Sequence, residues 1–174
     1  LLLTEPVDEY VMQSVREYKE KKIISADSEE LKLEKLDQDP EGKALNKKDT
    51  KSLCKWLKES LKDKVSDVET GERLIDSPVC IVGGDGLGGA SARRVMKMMQ
   101  GGDNAMPAAP VKLQVNQRHP IIKGLYKLTE TDKETAELIA NQLLDNALAT
   151  ANLLDDPREM IARSYKAIEK LANQ

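Results

Sequence analysis

Residues 131–171 read TDKETAELIANQLLDNALATANLLDDPREMIARSYKAIEKL, and this stretch decides the fold. Ala136, Ile139, Ala140, Leu143, Leu144, Ala147, Leu148 and Ala151 recur at i, i+3, i+4 and i+7, the repeat of one helix face. The small residues among them permit close approach of a second helix. Thr131 opens this helix, with Glu134 completing a T-x-x-E capping box. Asp155, Asp156 and Pro157 then stop one helix and start another. Aspartate accepts from the free N–H groups of a first turn, and proline has no N–H to satisfy there. Met160, Ile161, Tyr165, Ile168 and Leu171 mark one side of the second helix. Two such helices joined by a tight turn bury little surface by themselves. Further helices must cover them, from elsewhere in the chain or from an identical pair in a second copy. Spacing alone leaves both arrangements open.

Upstream the pattern mixes strands with helices. A helix is expected over 47–63, with Leu53, Trp56, Leu57 and Leu61 as its apolar stripe. Strands are expected over 64–71 and 78–83, where PVCIV is a continuous apolar run that suits a buried strand. VKLQV, residues 111–115, alternates with period two and reads as a half-buried strand. A helix near 90–100 lies between them, and a short one over 118–129 follows. At the start, residues 1–4 look like a strand end, and Thr4 caps a helix whose apolar positions run from Val7 to Tyr18. KKIISA, residues 21–26, reads as a short strand, and residues 27–46 as an acidic, polar linker. The fold class is therefore α+β: a small mixed sheet with packed helices, ending in a helical hairpin.

Composition narrows the function classes. The 174 residues suffice for one domain or for a domain plus a remnant of another. Phe is absent and aromatics are 3%, so the core is built from Leu, Ile, Val, Ala and Met. The net charge is -3 with both signs mixed, and no basic stripe suggests nucleic acid. No apolar run approaches the ~20 residues of a membrane span. The opening LLLT lacks the features of a signal peptide. With no initial Met, the chain reads as a piece of something longer. Cys54 and Cys80 have apolar neighbours and read as small buried hydrophobes of a reducing compartment. One histidine, His119, gives no Cys/His cluster of zinc spacing.

Three motifs invite chemistry. Gly84–Asp85–Gly86–Leu87–Gly88–Gly89 matches the G-x-G-x-x-G of dinucleotide loops. The fold that uses that loop places an acidic residue at the end of the next strand. Here the next strand ends in Asn116 and Gln117, while Asp103 precedes it. No Gly-Lys-Ser/Thr follows either, so a glycine hinge is the better reading. In ASARRVMKMM, Ala92, Val95, Met96 and Met99 form one apolar face with Met106 nearby. Methionines suit either core filling or an adaptable surface for varied apolar partners. His119 has no evident Ser, Cys or carboxylate partner and reads as a structural residue at a helix start.

The order of these segments resembles the C-terminal region of the heat shock protein 90 chaperones, nearly end to end. LLLTEPVDEYVMQSVREYKEKKIIS looks like the end of that family's middle domain. RLIDSPVCIV is similar to its strand entry, with Arg73, Leu74, Ser77 and Pro78 matching. LQVNQRHPII resembles its L-E-I-N-P-x-H-P segment through Asn116, His119 and Pro120, with Gln117 in place of the usual proline. ARRVMKMM resembles its amphipathic helix, and LLDNALATANLLDDPREMIARSYKAI its final hairpin. NALATA and DDPREM look closest to mitochondrial and bacterial members. The chain stops at KLANQ without the acidic tail of cytosolic eukaryotic members, which favours a mitochondrial protein or, alternatively, one of the bacterial cytoplasm.

The resemblance implies a division into the end of the middle domain (1–28), an acidic linker (29–46) and a C-terminal dimerisation domain (47–174). It implies a homodimer whose last two helices form a four-helix bundle with those of the second copy. Ile139, Leu143, Leu144, Ala147, Leu148, Ala151, Met160, Ile161, Tyr165 and Ile168 would line the interface. It implies unfolded or partly folded client proteins as partners, touched by Leu87, Val95, Met96, Met99 and Met106. Many members carry an aromatic residue where Gly88 stands and a client-facing Met where Ala92 stands, so this carry-over is incomplete. ATP and Mg would act in domains of the longer protein, leaving this chain with no catalytic residue and no cofactor. The alternatives are a monomeric helical adaptor or a nucleotide-binding domain built on the glycine loop.

Overall fold

A computed structural model describes residues 8, 11, 12, 14, 15, 17–24, 44–71, 74–82 and 110–173. The chain divides into two compact units, Leu1–Glu34 with Val82–Ala109 and Lys35–Ile81 with Pro110–Gln174.

In the first unit Asp8, Val11, Met12 and Ser14 are helical. The helix expected to continue to Tyr18 does not: Glu17–Tyr18 form strand β1, paired antiparallel with β2, Lys21–Lys22. Lys19 and Glu20 between them both have positive φ, 49° and 62°, the turn geometry that matches the twist of a two-residue hairpin. Tyr18 is apolar enough to imitate a helical position, but its ring faces solvent and carries the Lys19 ammonium 5.3 Å from its centre.

The second unit holds the core cluster of the described residues. Helix α1, Lys47–Leu61, starts at Asn46, whose Oδ1 accepts the Asp49 N–H at 2.8 Å while its amide donates back to the Asp49 carboxylate at 2.8 Å. Leu53, Leu57 and Leu61, four residues apart, are buried on one face. A 3₁₀ turn, Lys62–Lys64, leads into β3, Val65–Thr70. Strand β4 is Val79–Val82 and β5 is Val111–Val115. The sheet order is β3-β5-β4, with β3 parallel to β5 from Val65↔Val111 to Thr70↔Val115. In β5, Val111, Leu113 and Val115 alternate into the core as the period-two pattern predicts. In β4 only Val79 and Val82 are buried while Cys80 and Ile81 are half-buried. The apolar run suggested a buried strand, but β4 lies at the side of the described sheet and is covered less. Just past β3, the Gly71 N–H donates to the Val115 carbonyl at 3.0 Å. A Cβ there would stand 2.9 Å from Gln114 Oε1, 3.1 Å from Gln114 Cβ and 3.2 Å from Leu74 Cδ1, so a side chain at this position requires those neighbours to shift.

Helix α2, Pro120–Thr131, runs two residues further than 118–129 and starts later. Helix α3 is Lys133–Thr150 and α4 is Pro157–Ala172. The N-cap of α3 is Asp132, not Thr131: its carboxylate accepts the Thr135 N–H at 3.1 Å. Thr131 is still the last residue of α2, where its hydroxyl donates to the Lys127 carbonyl at 3.2 Å. Two helices abut with one residue between them, so the T-x-x-E match fell a position early. Asp156 and Pro157 cap α4 as expected.

Cys54 lies half-buried on α1, and burial, reinforced by Asp67 and Glu69, pushes its thiol up to about 11. Thiolate is the reactive form. Cys54 should therefore alkylate at pH 7.5 on the order of 100-fold more slowly than an exposed cysteine of ordinary acidity. Peptide mass spectrometry of iodoacetamide-treated protein reads this directly; a rate like that of a free thiol would contradict it.

Candidate dimer interface

The α3–α4 hairpin is closed by a turn that follows from its residues. Asn152, just after α3, has φ 55°, a left-handed conformation that asparagine tolerates better than most. Its N–H donates to the Ala149 carbonyl at 3.0 Å, and the Leu153 N–H reaches back to Leu148 at 2.8 Å. Those two bonds satisfy carbonyls that the helix end leaves open. Leu153 and Leu148 both pack against the core beneath. Asp156 then opens α4 by accepting the Arg158 N–H at 2.9 Å.

Asp156 also receives the Arg158 guanidinium, at 2.9 and 2.6 Å. That side-chain bond, with the backbone N–H second, holds its carboxyl down at about 2, below the ordinary 3.8. A depressed carboxyl stabilises the fold above its unfolded value and stops doing so as pH falls through its folded value. Capping of α4 should thus be complete above pH about 4 and lost between there and about 2. Asp132 at the head of α3 is lowered in the same direction, chiefly by the Thr135 hydroxyl. Helical circular dichroism should fall across that window, and Asp156→Asn should remove part of the change; an unaltered acid profile in the variant would contradict the assignment.

The two helices differ sharply in what they bury. On α3, Ala136, Ala140, Leu143, Leu144, Asp145 and Ala147 are buried, and all but Asp145 belong to the core cluster shared with α1, β3, β5 and α2. Ile139 and Leu148 pack partly against it, and Ala151 is half-buried. On α4 no residue is buried. Met160, Arg163, Ser164, Ala167 and Lys170 are half-buried and recur at helical spacing. Arg163 and Lys170 mark this as the side toward α3: Arg163 pairs with Asp145, and Lys170 reaches Thr135 Oγ1 at 3.0 Å and Glu134 at 3.2 Å. The Asp145–Arg163 pair is well shielded, with side chains only 11% and 19% exposed.

The outer face of α4 is apolar and open. Ile161 is 44% exposed, Tyr165 66%, Ile168 58% and Leu171 70%. Their spacing puts them on one stripe. Charges of both signs border it: Arg158, Glu159, Lys166 and Glu169, all exposed. Of the ten residues expected at an interface, Leu143, Leu144 and Ala147 lie inside this chain's own core, Ile139, Leu148, Ala151 and Met160 are half-buried, and Ile161, Tyr165 and Ile168 face solvent. Leu171, on the apolar side of α4 but outside the expected interface set, is the most exposed large apolar residue of this helix. Its place at the end of the apolar repeat was the available signal.

Two further positions matter for the scaffold. Asn116 is buried, and its amide lies 3.2 Å from the Leu74 carbonyl, 3.1 Å from Ile75 and 3.4 Å from Ser77. Its Oδ1 accepts the Arg118 N–H at 3.0 Å, and its own N–H donates to Pro78 at 2.8 Å. One side chain thus ties the loop before β4 to the exit of β5. His119 is the N-cap of α2: Nδ1 accepts the Ile121 N–H at 3.2 Å. The glycine loop Gly84–Gly89 and the client-contact set Leu87, Val95, Met96, Met99 and Met106 lie outside the described residues. Among the described residues, no three His, Cys, Asp or Glu gather to hold a metal ion. No described helix is long and apolar enough to cross a membrane.

Known proteins bear on this geometry. The family model "Hsp90 protein" matches residues 1–174. Chaperone protein HtpG of Desulfotalea psychrophila is 34% identical over 175 residues, which cover 98% of this chain and 28% of that protein. Mitochondrial heat shock protein 75 kDa of Rattus norvegicus is 33% identical over 182 residues, 98% of this chain and 25% of that protein. Chloroplastic heat shock protein 90-5 of Arabidopsis thaliana is 33% identical over 173 residues, 95% of this chain and 22% of that protein. The chain spans about a quarter of the length of these relatives.

Proposed function

Since the chain belongs to the Hsp90 family, we propose that its α3–α4 hairpin joins two copies into a homodimer, as the C-terminal module of a molecular chaperone. The observation that carries this reading is the apolar outer stripe of α4, exposed on a helix none of whose residues is fully buried within its own chain. Full burial of an aliphatic or aromatic side chain is worth about 1.5–3 kcal/mol. Ile161, Tyr165, Ile168 and Leu171, counted on both copies, offer enough to offset the cost of association. A two-fold axis places the same stripe on both sides, and two hairpins then make four helices. The bordering charges, of both signs, permit such self-pairing without forcing like charges together.

In the longer protein the module would link two copies of an ATP-driven machine that remodels unfolded or partly folded clients. Nucleotide and Mg would act in domains outside this chain, and no step of ATP hydrolysis is assigned to its residues. Leu87, Val95, Met96, Met99 and Met106 are proposed to touch clients. The relatives are bacterial and organellar, and a mitochondrial setting is proposed on the NALATA and DDPREM segments.

A second reading, a monomeric helical adaptor, draws on the burial of Leu143, Leu144 and Ala147 in the chain's own core. Light scattering separates the two. The dimer reading expects twice the chain mass at micromolar concentration, and a monomer mass would overturn it.

A further inference from the structure

α4 is bound to its own chain more thinly than any other helix of the second unit. α1, α2 and α3 each bury apolar side chains in the common core, and α4 buries none of its sixteen residues. Its side toward α3 carries half-buried Met160, Ser164 and Ala167 beside two charged contacts. The shielded Asp145–Arg163 pair lies near the middle, and Lys170 bridges Glu134 and Thr135 near the far end. A shielded ion pair contributes little net stability, because the desolvation of both charges offsets their attraction. Glu134 is largely exposed, so the second contact is weak in water. Against these stands the ordering of a sixteen-residue segment that as an isolated helix would be marginal.

We propose that α4 is a conditional element, held as a helix on α3 only while a second copy covers Ile161, Tyr165, Ile168 and Leu171. This rests on the dimer reading above and adds a regulation to it: dissociation and release of α4 are one event. The turn at Asn152–Asp156 is the hinge, and Asp145–Arg163 is the contact that sets α4 at one register on α3 when it docks. The pair selects a geometry, because it supplies direction without much adhesion.

Hydrogen exchange tests this, read by mass spectrometry on the whole chain across a dilution series whose mass is followed by light scattering. Ile168→Asp supplies a monomer if dilution does not reach one. As mass falls from dimer to monomer, amides of 157–172 should lose at least roughly 100-fold in protection. Amides of 53–61, 111–115 and 140–148 should change by less than about threefold, which shows that the core stays folded. Continued protection of 157–172 in a folded monomer would overturn the proposal and leave the dimer reading standing. A monomer mass at every concentration would remove the dimer reading and this proposal with it. General loss of protection in the core amides would overturn it too, since release would then not be confined to α4.

Discussion

Ile168→Asp should convert the proposed dimer to a monomer at micromolar concentration while its core stays folded. Ile168 is 58% exposed in the single chain, so a carboxylate there remains solvated in the monomer. In the dimer it would enter an apolar seam. Only the exposed part of Ile168 is left to bury, so each copy then loses roughly 1 kcal/mol of isoleucine burial and meets a desolvation cost of similar size or larger. Two-fold symmetry applies both twice. Dissociation should rise by roughly 1,000-fold or more, since each 1.4 kcal/mol is tenfold. The companion change Leu144→Asp reads something else. Leu144 is 0% exposed inside the chain's own core, so a charge there attacks the fold before it reaches any interface. Sedimentation should show a compact Ile168→Asp monomer and an aggregated or unfolded Leu144→Asp chain. A dimeric Ile168→Asp protein of unchanged affinity would remove α4 from the interface.

Asn116→Ala should destabilise the second unit by about 3 kcal/mol. The side chain serves Leu74, Ile75 and Ser77 carbonyls on one side and the Arg118 N–H on the other. Alanine leaves those groups, in a site only 4% exposed, without that partner. An unsatisfied buried polar group costs about 1–3 kcal/mol. Asn116→Asp should be no better, because it keeps the acceptor and turns a second oxygen toward three carbonyls. Urea unfolding would show a lower midpoint for both variants. A loss under about 1 kcal/mol would mean that water replaces the amide without penalty.

Much of this was legible because the signals are local. Asp156 before Pro157, the alternation of VKLQV and the i, i+4 repeat of Leu53, Leu57 and Leu61 each draw on neighbours a few residues away. What escaped depends on tertiary company. Nothing local says that Asn116 faces a loop forty positions upstream, or that Asp145 meets Arg163 across a turn. The repeat in α3 marked an apolar face correctly but could not say who covers it: Leu144 turned inward to its own chain. Tyr18 fitted a helical spacing, yet the adjacent Lys19–Glu20 turn made a hairpin that apolar periodicity does not report. The family resemblance implied a dimer face on both helices; in the single chain α3 turns its apolar face inward, while α4 leaves its own open.

The parallel pairing of β3 with β5 carries a consequence for the order of assembly. Val65 finds Val111 only after the intervening chain has been gathered into a loop, and β4 must be placed beside β5 as well. Loop closure of that kind slows folding more than it weakens the product: doubling the loop costs only about 0.6 kcal/mol. The helices α2 and α3 need contacts closer in sequence, so they can form while the sheet is still open. On refolding of the whole chain, the α2–α3 pair would therefore gather before β3 closes onto β5.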